Sequence, residues 1–486
     1  WSSFIKEEIS GEPEGPWAWV NDGYTSGIYM PGDTVHVWSD LDPVTMTFQG
    51  WIGDTSLLAD TEEWHTTFIM PDNDVYFYAL QDSTGLIDFE YEIIQGAENQ
   101  KNVYYKFPEN SIGTIFFFHG GSGNAEGFAD RVETIQFSQD ALQKGYGIII
   151  TESENATLNT GLNRWLLDSL TIEENIDIAN IQALIDTFTI RGSINAQDPI
   201  YSAGVSNGGN FSSVVAHALN FNAAAMYSAQ GIPPALYLVT ETPTVFCPAK
   251  YDPALGGGNW GAHMNFNFLQ SRGIPSAFYE LDRSPAYPQR FVRIPEIDTT
   301  LSNDLFSELL TMGFIDNDHY FTVLDDSIQS LYMANPDTFS VLGTLNILTI
   351  RHVLDQIKVI TADHSFFADY NERVLTFFNM YSDVLSTAKD SSIPHQYTLY
   401  SAYPNPFNPI TTLRYNFPEN GHVNITIYDM LGRHVKTLVN QTQDAGFKSV
   451  IWDATNNQGK PVSAGVYLYQ IQAGDFVQTK KMVLLK

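Results

Sequence analysis

The sequence predicts an α/β protein: a doubly wound, mostly parallel sheet that carries a helical insertion and is flanked by a small N-terminal all-β module and a C-terminal β-sandwich. Two observations support this. Short apolar runs alternate with helical segments between about residues 87 and 250, which is typical of a parallel sheet covered by helices. Short strands with alternating polarity occupy residues 24–82 and 395–486, which is typical of all-β modules. A length of 486 residues allows several such domains.

Charge is spread unevenly along the chain. The net charge of −32 divides into −35 over residues 1–394 and +3 over residues 395–486. An acidic surface repels nucleic acid and anionic membranes, so we expect neither as a partner. No apolar run approaches the roughly 20 residues of a membrane helix, and the start of the sequence lacks the features of a signal peptide, which we expect to have been removed or never present. We expect a monomer.

Cysteine and metal chemistry are not expected to contribute. The single cysteine, Cys247, excludes an internal disulfide framework and a cysteine-based zinc site. Because it lies in a predicted buried strand, we interpret it as small apolar filler rather than a reactive thiol. The sequence holds no zinc, calcium, phosphate-loop or dinucleotide motif, so we expect no metal and no cofactor.

The N-terminal region is predicted to be a linker over residues 1–23 and a small β module over residues 24–82, with strands at 34–38, 45–48 and 75–79. The stretches Phe-Gln-Gly-Trp-Ile-Gly-Asp at 48–54 and Phe-Ile-Met-Pro-Asp-Asn-Asp-Val at 68–75 resemble the InlB-type B-repeat of bacterial surface proteins. Trp38, Trp51 and Trp64 form either the core of this module or a face that stacks on sugars or polymers. We favour the core, since so small a module has no other.

The central domain is predicted to span residues 83–390. Strands are expected at 87–96, 102–106, 114–118, 147–152, 199–203, 223–228 and 243–249, with helices at 127–144 and 173–190 between them. Residues 255–350 break the alternation and include helical segments at 303–312 and 327–334, so we interpret them as an inserted lid. A closing strand at 357–361 and a helix at about 370–388 complete the domain.

The C-terminal module is predicted to be a β-sandwich over residues 395–486, with alternating strands at 423–429 and 465–471. Its motifs are Tyr-Pro-Asn-Pro-Phe-Asn-Pro at 403–409, Ile-Tyr-Asp-Met-Leu-Gly-Arg at 427–433, Ser-Ala-Gly-Val-Tyr at 463–467 and Lys-Lys-Met-Val-Leu-Leu-Lys at 480–486. These resemble the C-terminal sorting domain of the type IX secretion system. The resemblance implies a secreted or cell-surface protein that contacts the secretion machinery through this module.

The candidate nucleophile is Ser206, in the Gly-x-Ser-x-Gly motif at 204–208. A predicted strand leads into the motif and a helix of small residues leads out, which is the layout of a nucleophile elbow. Side chains at Gly204 and Gly208 would collide with the neighbouring strand and helix. The elbow lifts the serine hydroxyl above the sheet, where it can attack a carbonyl carbon.

A base and an orienting carboxylate are expected after later strands, in the order Ser, Asp, His. Asp252 follows the carboxyl end of the second strand after the nucleophile strand, and is the candidate acid. Among eleven histidines, His364 follows a predicted strand and precedes the closing helix, and is the candidate base. His319, in an Asp-Asn-Asp-His stretch, is the reserve candidate, with an exposed loop histidine as its alternative interpretation.

Stabilisation of an oxyanion is predicted from the backbone N–H groups of Asn207 and Gly121, since glycines let the backbone approach a substrate closely. Gly120 and Ser122 of the same His-Gly-Gly-Ser-Gly loop are candidate substrate contacts, and His119 is expected to brace the loop. The tryptophans Trp165 and Trp260 either line the substrate pocket or pack structurally.

Together these parts, over about residues 87–390, resemble the α/β-hydrolase family, nearest its secreted esterase and polyhydroxybutyrate-depolymerase-like branch. The resemblance implies a serine hydrolase that cleaves carboxylic esters, including bulky or polymeric ones such as polyesters or aryl esters of plant polysaccharides. Two alternatives stay open: a secreted peptidase that uses the same three residues, and a non-enzymatic surface or adhesion protein.

Overall fold

The computed structural model describes most of the chain in two compact units, residues 1–385 and 386–486. The described residues are 16–382 and 397–485, apart from 22, 40–45, 84–86, 196, 234–235, 256–258, 400–401, 403–404, 408, 410, 444–445 and 475. The predicted boundary between the central and C-terminal domains, at 390–395, lies outside the described residues. Among the residues described, no helix is long and apolar enough to cross a membrane.

The described part of the N-terminal module has seven strands in two sheets, ordered β3-β1-β7-β5 and β2-β4-β6. The strands are β1 (Trp17–Asn21), β2 (Gly23–Tyr24), β3 (Gly27–Ile28), β4 (Thr34–Ser39), β5 (Met46–Gly53), β6 (His65–Ile69) and β7 (Val75–Ser83). Trp38, Trp51 and Trp64 are all buried, which confirms that they form the core of the module. The prediction of a linker up to residue 23 is wrong for 17–21, because β1 alternates inward and outward residues and pairs with β7 inside the first sheet.

The central sheet has eight strands in the order β15-β14-β13-β12-β10-β11-β9-β8. They are β8 (Glu90–Gln95), β9 (Gln100–Lys106), β10 (Gly113–Phe118), β11 (Tyr146–Thr151), β12 (Ile200–Val205), β13 (Ala223–Tyr227), β14 (Thr244–Cys247) and β15 (Ser276–Phe278). From β11 to β15 all neighbours are parallel, and β9 runs antiparallel to both β11 and β8. This order and the single reversed strand are those of the α/β-hydrolase fold, so the predicted fold class is confirmed.

Helices cover both faces of this sheet, and two separate apolar cores lie between them and the strands. The helices are α1 (Ala125–Ala129), α2 (Val132–Gln143), α3 (Glu154–Thr157), α4 (Ile176–Ile190), α5 (Asn207–Ala218), α6 (Leu236–Val239), α7 (Trp260–Ser271), α8 (Thr299–Thr311), α9 (Asp325–Ala334), α10 (Ile347–Ile360) and α11 (Asn371–Met380). Short 3₁₀ turns occupy Thr55–Leu57, Pro253–Leu255, Arg290–Arg293, Pro336–Thr338 and Leu342–Thr344. Strands β10, β11 and β12 are buried on both faces, as their continuous apolar runs indicate.

Two predicted elements of the central domain are wrong. The insertion does not begin at residue 255, because α7 and the three-residue strand β15 continue the alternation before the chain leaves the sheet. The closing strand at 357–361 is the last turn of α10 and its C-cap. Its β-branched residues favoured a strand, but buried residues at 350, 353, 354, 357 and 360 follow the helical period, and Asn346 caps the helix by accepting N–H bonds from residues 348 and 349.

The insertion packs on the rest of the unit through its own apolar core. Its buried residues gather with those of α10 and with Val132 of α2. At its base, the buried Arg293 forms an ion pair with Glu133 at 2.9 Å, and its guanidinium lies 4.4 Å from the ring centre of Trp64 in the N-terminal module. Tyr287 stacks on Tyr24 at 4.7 Å. The insertion therefore joins the N-terminal module to the central domain.

The N-terminal module also contacts α11 and the turn before it directly. Arg373 of α11 donates to the carboxylate of Asp60 at 2.7 Å and lies 3.6 Å from that of Glu63. His65 contacts Asp369 at 2.9 Å through its Nδ1, and its Nε2 lies 3.0 Å from Nδ1 of His36. The contacts of Arg373 and of Asp369 with the module cross the interface, so they fix the orientation of the module on the central domain.

The C-terminal unit is a β-sandwich of a three-stranded sheet, β16-β17-β20, and a four-stranded sheet, β19-β18-β21-β22. The strands are β16 (Thr398–Leu399), β17 (Thr411–Phe417), β18 (Gly421–Asp429), β19 (His434–Gln443), β20 (Gly446–Trp452), β21 (Gly465–Ala473) and β22 (Phe476–Leu484). Both predicted strands are present as β18 and β21. Among the described residues, the pairings between these seven strands are antiparallel, and the inward residues of both sheets form one apolar core.

The Arg373 contacts predict a measurable stabilisation of the first unit. Arg373→Ala would remove the cation that lies 2.7 Å from the carboxylate of Asp60 and 3.6 Å from that of the buried Glu63. Removing one partner of a fully buried pair costs about 3–5 kcal/mol; because the Arg373 side chain is 32% exposed, we expect a smaller loss of about 2 kcal/mol. Differential scanning calorimetry should show a lower melting temperature for the unit. Arg191→Ala, which removes an exposed pair with Glu92, is the matched control and should lose less than about 1 kcal/mol. Equal shifts for the two variants would contradict this interpretation.

Candidate active site

The turn between β12 and α5 holds Ser206 in a strained conformation. Its φ is +60° and its ψ −121°, a region that residues with a side chain rarely adopt. The backbone N–H of Ser206 donates to the carbonyl of Tyr227 at the end of β13, at 2.8 Å. The turn is therefore fixed to the carboxyl edge of the sheet, where the motif places it.

The two flanking glycines are required by close backbone packing. A Cβ at Gly204 would lie 2.5 Å from the carbonyl oxygen of Gly208, and a Cβ at Gly208 would lie 2.2 Å from that of His119. Neither approach is compatible with a side chain. The close approach at Gly208 brings the start of α5 against the end of β10 and the loop that follows it.

The loop after β10 passes beside the serine turn. It closes through a hydrogen bond from the N–H of Gly123 to the carbonyl of Gly120 at 3.0 Å. A Cβ at Gly120 would lie 3.7 Å from the Cβ of Ser206, and one at Gly121 would lie 3.6 Å from that of Asn207. The structure thus brings Gly120 and Gly121 to the predicted nucleophile, whereas Ser122 lies exposed at the tip of the loop. As the first residue of α5, Asn207 has a backbone N–H without an acceptor inside the helix.

The carboxylate of Asp252 contacts the imidazole of His364. Oδ2 of Asp252 lies 2.6 Å from Nδ1 of His364, the carboxylate is fully buried and the imidazole is 27% exposed. The other carboxylate oxygen accepts the N–H of Ala254 at 2.9 Å. Asp252 therefore orients the ring so that Nδ1 carries the proton and Nε2 is left as the basic nitrogen.

Hydrogen bonds join the histidine loop to the same edge of the sheet as Ser206. Ser228 directly follows β13, the strand to which the serine turn is hydrogen-bonded. Its hydroxyl donates to the carbonyl of Ser365 at 2.9 Å. On the other side, the N–H of Tyr251 donates to the carbonyl of Ala362 at 3.0 Å. The loops that carry Ser206, Asp252 and His364 thus all lie at the carboxyl edge of β12, β13 and β14.

Trp165 packs beneath the site. It is buried, it stacks on Phe211 at 4.6 Å, and its indole N–H donates to the carbonyl of His119 at 3.0 Å. Its backbone N–H and carbonyl both bond the side-chain amide of Asn207, at 2.7 and 3.2 Å. The structure favours the packing interpretation of Trp165. The sequence motif gave no sign of this clamp, because it joins residues from two distant segments.

The structure also places three other residues that the sequence analysis singled out. Trp260 begins α7 and is 72% exposed. His319 lies in an exposed turn with φ +65°, as its alternative interpretation predicts. Cys247 is fully buried, and burial raises the pKa of its thiol, which agrees with apolar filler. Sequence reasoning did not single out Arg164, whose side chain lies beside Gly121: a Cβ added there would be 3.3 Å from the Cγ of Arg164.

His119 braces the loop as a neutral side chain. Its Nε2 accepts the N–H of Ser153 at 3.2 Å and its Nδ1 lies 2.7 Å from the carbonyl of Gly120, so the proton sits on Nδ1. Burial lowers the pKa of His119 to about 4. Protonation would place a second proton on Nε2, where it would oppose the Ser153 N–H.

Parts of the chain are similar to known proteins. Residues 410–475 match the model of the FlgD Ig-like domain. The fold is similar to dienelactone hydrolase from Anabaena variabilis, at 14% identity over 45% of this chain and 97% of that one, with a TM-score of 0.33. It is also similar to Pyrococcus horikoshii acylaminoacyl peptidase, at 14% identity over 47% and 41% of the two chains and a TM-score of 0.31.

A third similar structure is dimeric latent PorU from Porphyromonas gingivalis, at 23% identity over 18% of this chain and 9% of that one, with a TM-score of 0.16. The chain therefore spans less than half the length of PorU and of the peptidase. No curated protein sequence matches the chain significantly.

The neutral state of His119 predicts a pH-dependent contribution to stability. The unfolded state binds a proton at His119 near pH 6.5 and the folded state only near pH 4, so this residue destabilises the fold as pH falls from 6.5 to 4. Between pH 6.5 and 4, we expect the free energy of unfolding of His119→Gln to fall by roughly 2–3 kcal/mol less than that of the native protein. Thermal unfolding followed at a series of pH values measures the difference. The control variant His319→Gln, at an exposed residue, should lose stability with falling pH as the native protein does. If His119→Gln also loses stability as the native protein does, His119 is not held neutral in the folded state.

Proposed function

We propose that this protein is a serine hydrolase that cleaves carboxylic esters. The observation that carries the proposal is the 2.6 Å contact between the buried Asp252 carboxylate and His364, at the sheet edge where the strained turn holds Ser206. A buried carboxylate paired with a partly exposed imidazole, beside a serine on such a turn, suits acyl transfer.

The proposed reaction has two half-reactions. The His364 Nε2 takes the proton of the Ser206 hydroxyl as the oxygen attacks the ester carbonyl, and Asp252 stabilises the imidazolium. The backbone N–H groups of Gly121 and Asn207 donate to the oxyanion. The imidazolium then protonates the departing alcohol and leaves an acyl group on Ser206. Water, deprotonated by His364, attacks the acyl carbon, and the imidazolium returns the proton to the Ser206 oxygen as the bond to the acyl group breaks and the acid departs.

A bulky or polymeric ester is the proposed substrate class, either a polyester or an aryl ester on plant polysaccharide. Support comes from the helical insertion after β15 and from the additional module fixed to the catalytic domain. A peptidase of the same fold is the second candidate. One of the similar structures is named an acylaminoacyl peptidase.

Labelling by a fluorophosphonate probe tests the proposed nucleophile. We expect one equivalent to react with the native protein and none with Ser206→Ala. With p-nitrophenyl esters, kcat should fall by about 10⁴ or more in Ser206→Ala and by a comparable factor in Asp252→Asn, which favours the wrong imidazole tautomer. His319→Ala is the matched control for His364→Ala and should keep native turnover. Faster cleavage of peptide anilides than of esters would favour the peptidase, and full turnover in His364→Ala would refute the mechanism.

We further propose that the C-terminal sandwich is an export address of the type IX kind, so that the protein is secreted or held at the cell surface. Support comes from its four sequence motifs and its Ig-like sandwich. In a bacterium with this secretion system, the full chain should reach the medium or cell surface, whereas a chain ending near Ser391 should stay inside. Removal of residues 1–15, which precede β1, is the control and should leave export unchanged. Export of the truncated chain would contradict the proposal.

A further inference from the structure

The outward face of one sheet in the N-terminal module carries a row of aromatic rings, formed by Trp17, Trp19 and Tyr76. Their neighbours Ala18, Val20, Val75 and Phe77 are buried in the module core. Since side chains alternate between the two faces of a sheet, the aromatic row points away from the core. Strands β1 and β7 are parallel neighbours here, with Trp19 directly opposite Tyr76.

The three rings are nearly parallel. The ring centres of Trp17 and Trp19 are 5.0 Å apart with planes 19° apart, and those of Trp19 and Tyr76 are 6.3 Å apart with planes 5° apart. Tyr76 is 53% exposed, and the same face continues through Ile52, which is 49% exposed and pairs with Tyr78. Trp17 and Trp19 are only partly exposed, so the surface open to a ligand is the outer part of the row together with Tyr76. A contiguous apolar patch that reaches solvent marks an interaction site or a ligand-binding surface.

Two aspartate carboxylates accept hydrogen bonds from backbone N–H groups of residues in this row. Asp74 accepts the N–H of Trp17 at 2.9 Å, and Asp54 accepts the N–H of Tyr76 at 2.8 Å. Both aspartates are exposed, and each uses one oxygen for the backbone. Their other oxygens can accept hydrogen bonds but cannot donate them. The ligand of this face should therefore combine apolar C–H surface with hydroxyl donors.

From this chemistry we propose that the aromatic row is a binding site for a neutral polysaccharide. Sugar rings offer apolar C–H faces that pack on aromatic rings, and their hydroxyls donate to carboxylates. A polyester fits less well, because its backbone offers only acceptor oxygens to Asp54 and Asp74. An anionic polymer is repelled by the same carboxylates and by the net charge of −35 over residues 1–394.

The site lies on a module that is fixed to the catalytic domain. The ion pair of Arg373 with Asp60 and the contact of His65 with Asp369 hold the module in one orientation. A polysaccharide bound on the aromatic row therefore stays at a constant position relative to the sheet edge that carries Ser206. The inference goes beyond the proposed ester hydrolysis and does not depend on it.

Depletion from solution by insoluble polymers tests the site with the full chain. The probes are microcrystalline cellulose and insoluble xylan, with polyhydroxybutyrate particles as the polyester comparison. We expect the native protein to bind at least one polysaccharide, and the Trp17→Ala/Tyr76→Ala double variant to bind about tenfold more weakly, as expected for the loss of stacked rings. Tyr91→Ala, at a tyrosine that is 52% exposed on β8, should bind within twofold of the native protein.

Two further measurements keep the outcomes distinct. Turnover of a small p-nitrophenyl ester should be unchanged in the double variant, so failure of the polysaccharide site is separable from failure of the proposed catalysis. If the double variant unfolds, as judged by circular dichroism, the single Tyr76→Ala variant replaces it, since that side chain is mostly exposed. Undiminished binding by the folded variants, no binding of the native protein to either polysaccharide, or binding to the polyester alone would overturn the proposal.

Discussion

The contact between Asp252 and His364 links residues that are 112 positions apart, and the site depends on it. The carboxylate is buried and the imidazole is partly exposed, so the pair can hold a proton on one defined nitrogen and leave the other as the basic nitrogen. The contact forms only if β14 and the segment after α10 end at the same edge of the sheet. The whole insertion between them must therefore return the chain to that edge.

Close backbone packing sets the other half of the site. Gly204 and Gly208 let β10, β12 and α5 approach more closely than any side chain would allow, and this approach places the loop of Gly120 and Gly121 beside Ser206. Trp165 then holds Asn207 from below through two hydrogen bonds. Rigid support of this kind matters because donors that stabilise an oxyanion act through fixed positions rather than through strong binding.

Much of the fold could be predicted from the sequence because its strands are continuous apolar runs between clear helices. The failures have physical reasons. Four of the five residues at 357–361 are β-branched, yet the helical period over all of α10 determines their structure. β15 has three residues, too few to show a period. The candidate nucleophile, acid and base could be proposed from motif and order alone, and their roles stay predictions. The clamp of Trp165 on Asn207 and the aromatic row of Trp17, Trp19 and Tyr76 depend on pairing between distant segments.

A crystal structure of the protein after reaction with a phosphonate ester tests the central claim most directly, because the adduct mimics the tetrahedral intermediate. The account predicts a phosphorus bonded to the Ser206 oxygen, a phosphonyl oxygen within about 3 Å of the Gly121 and Asn207 backbone nitrogens, and Nε2 of His364 within hydrogen-bond distance of the Ser206 oxygen. A phosphonate bonded to another side chain, or an adduct on Ser206 with His364 out of reach, would contradict it.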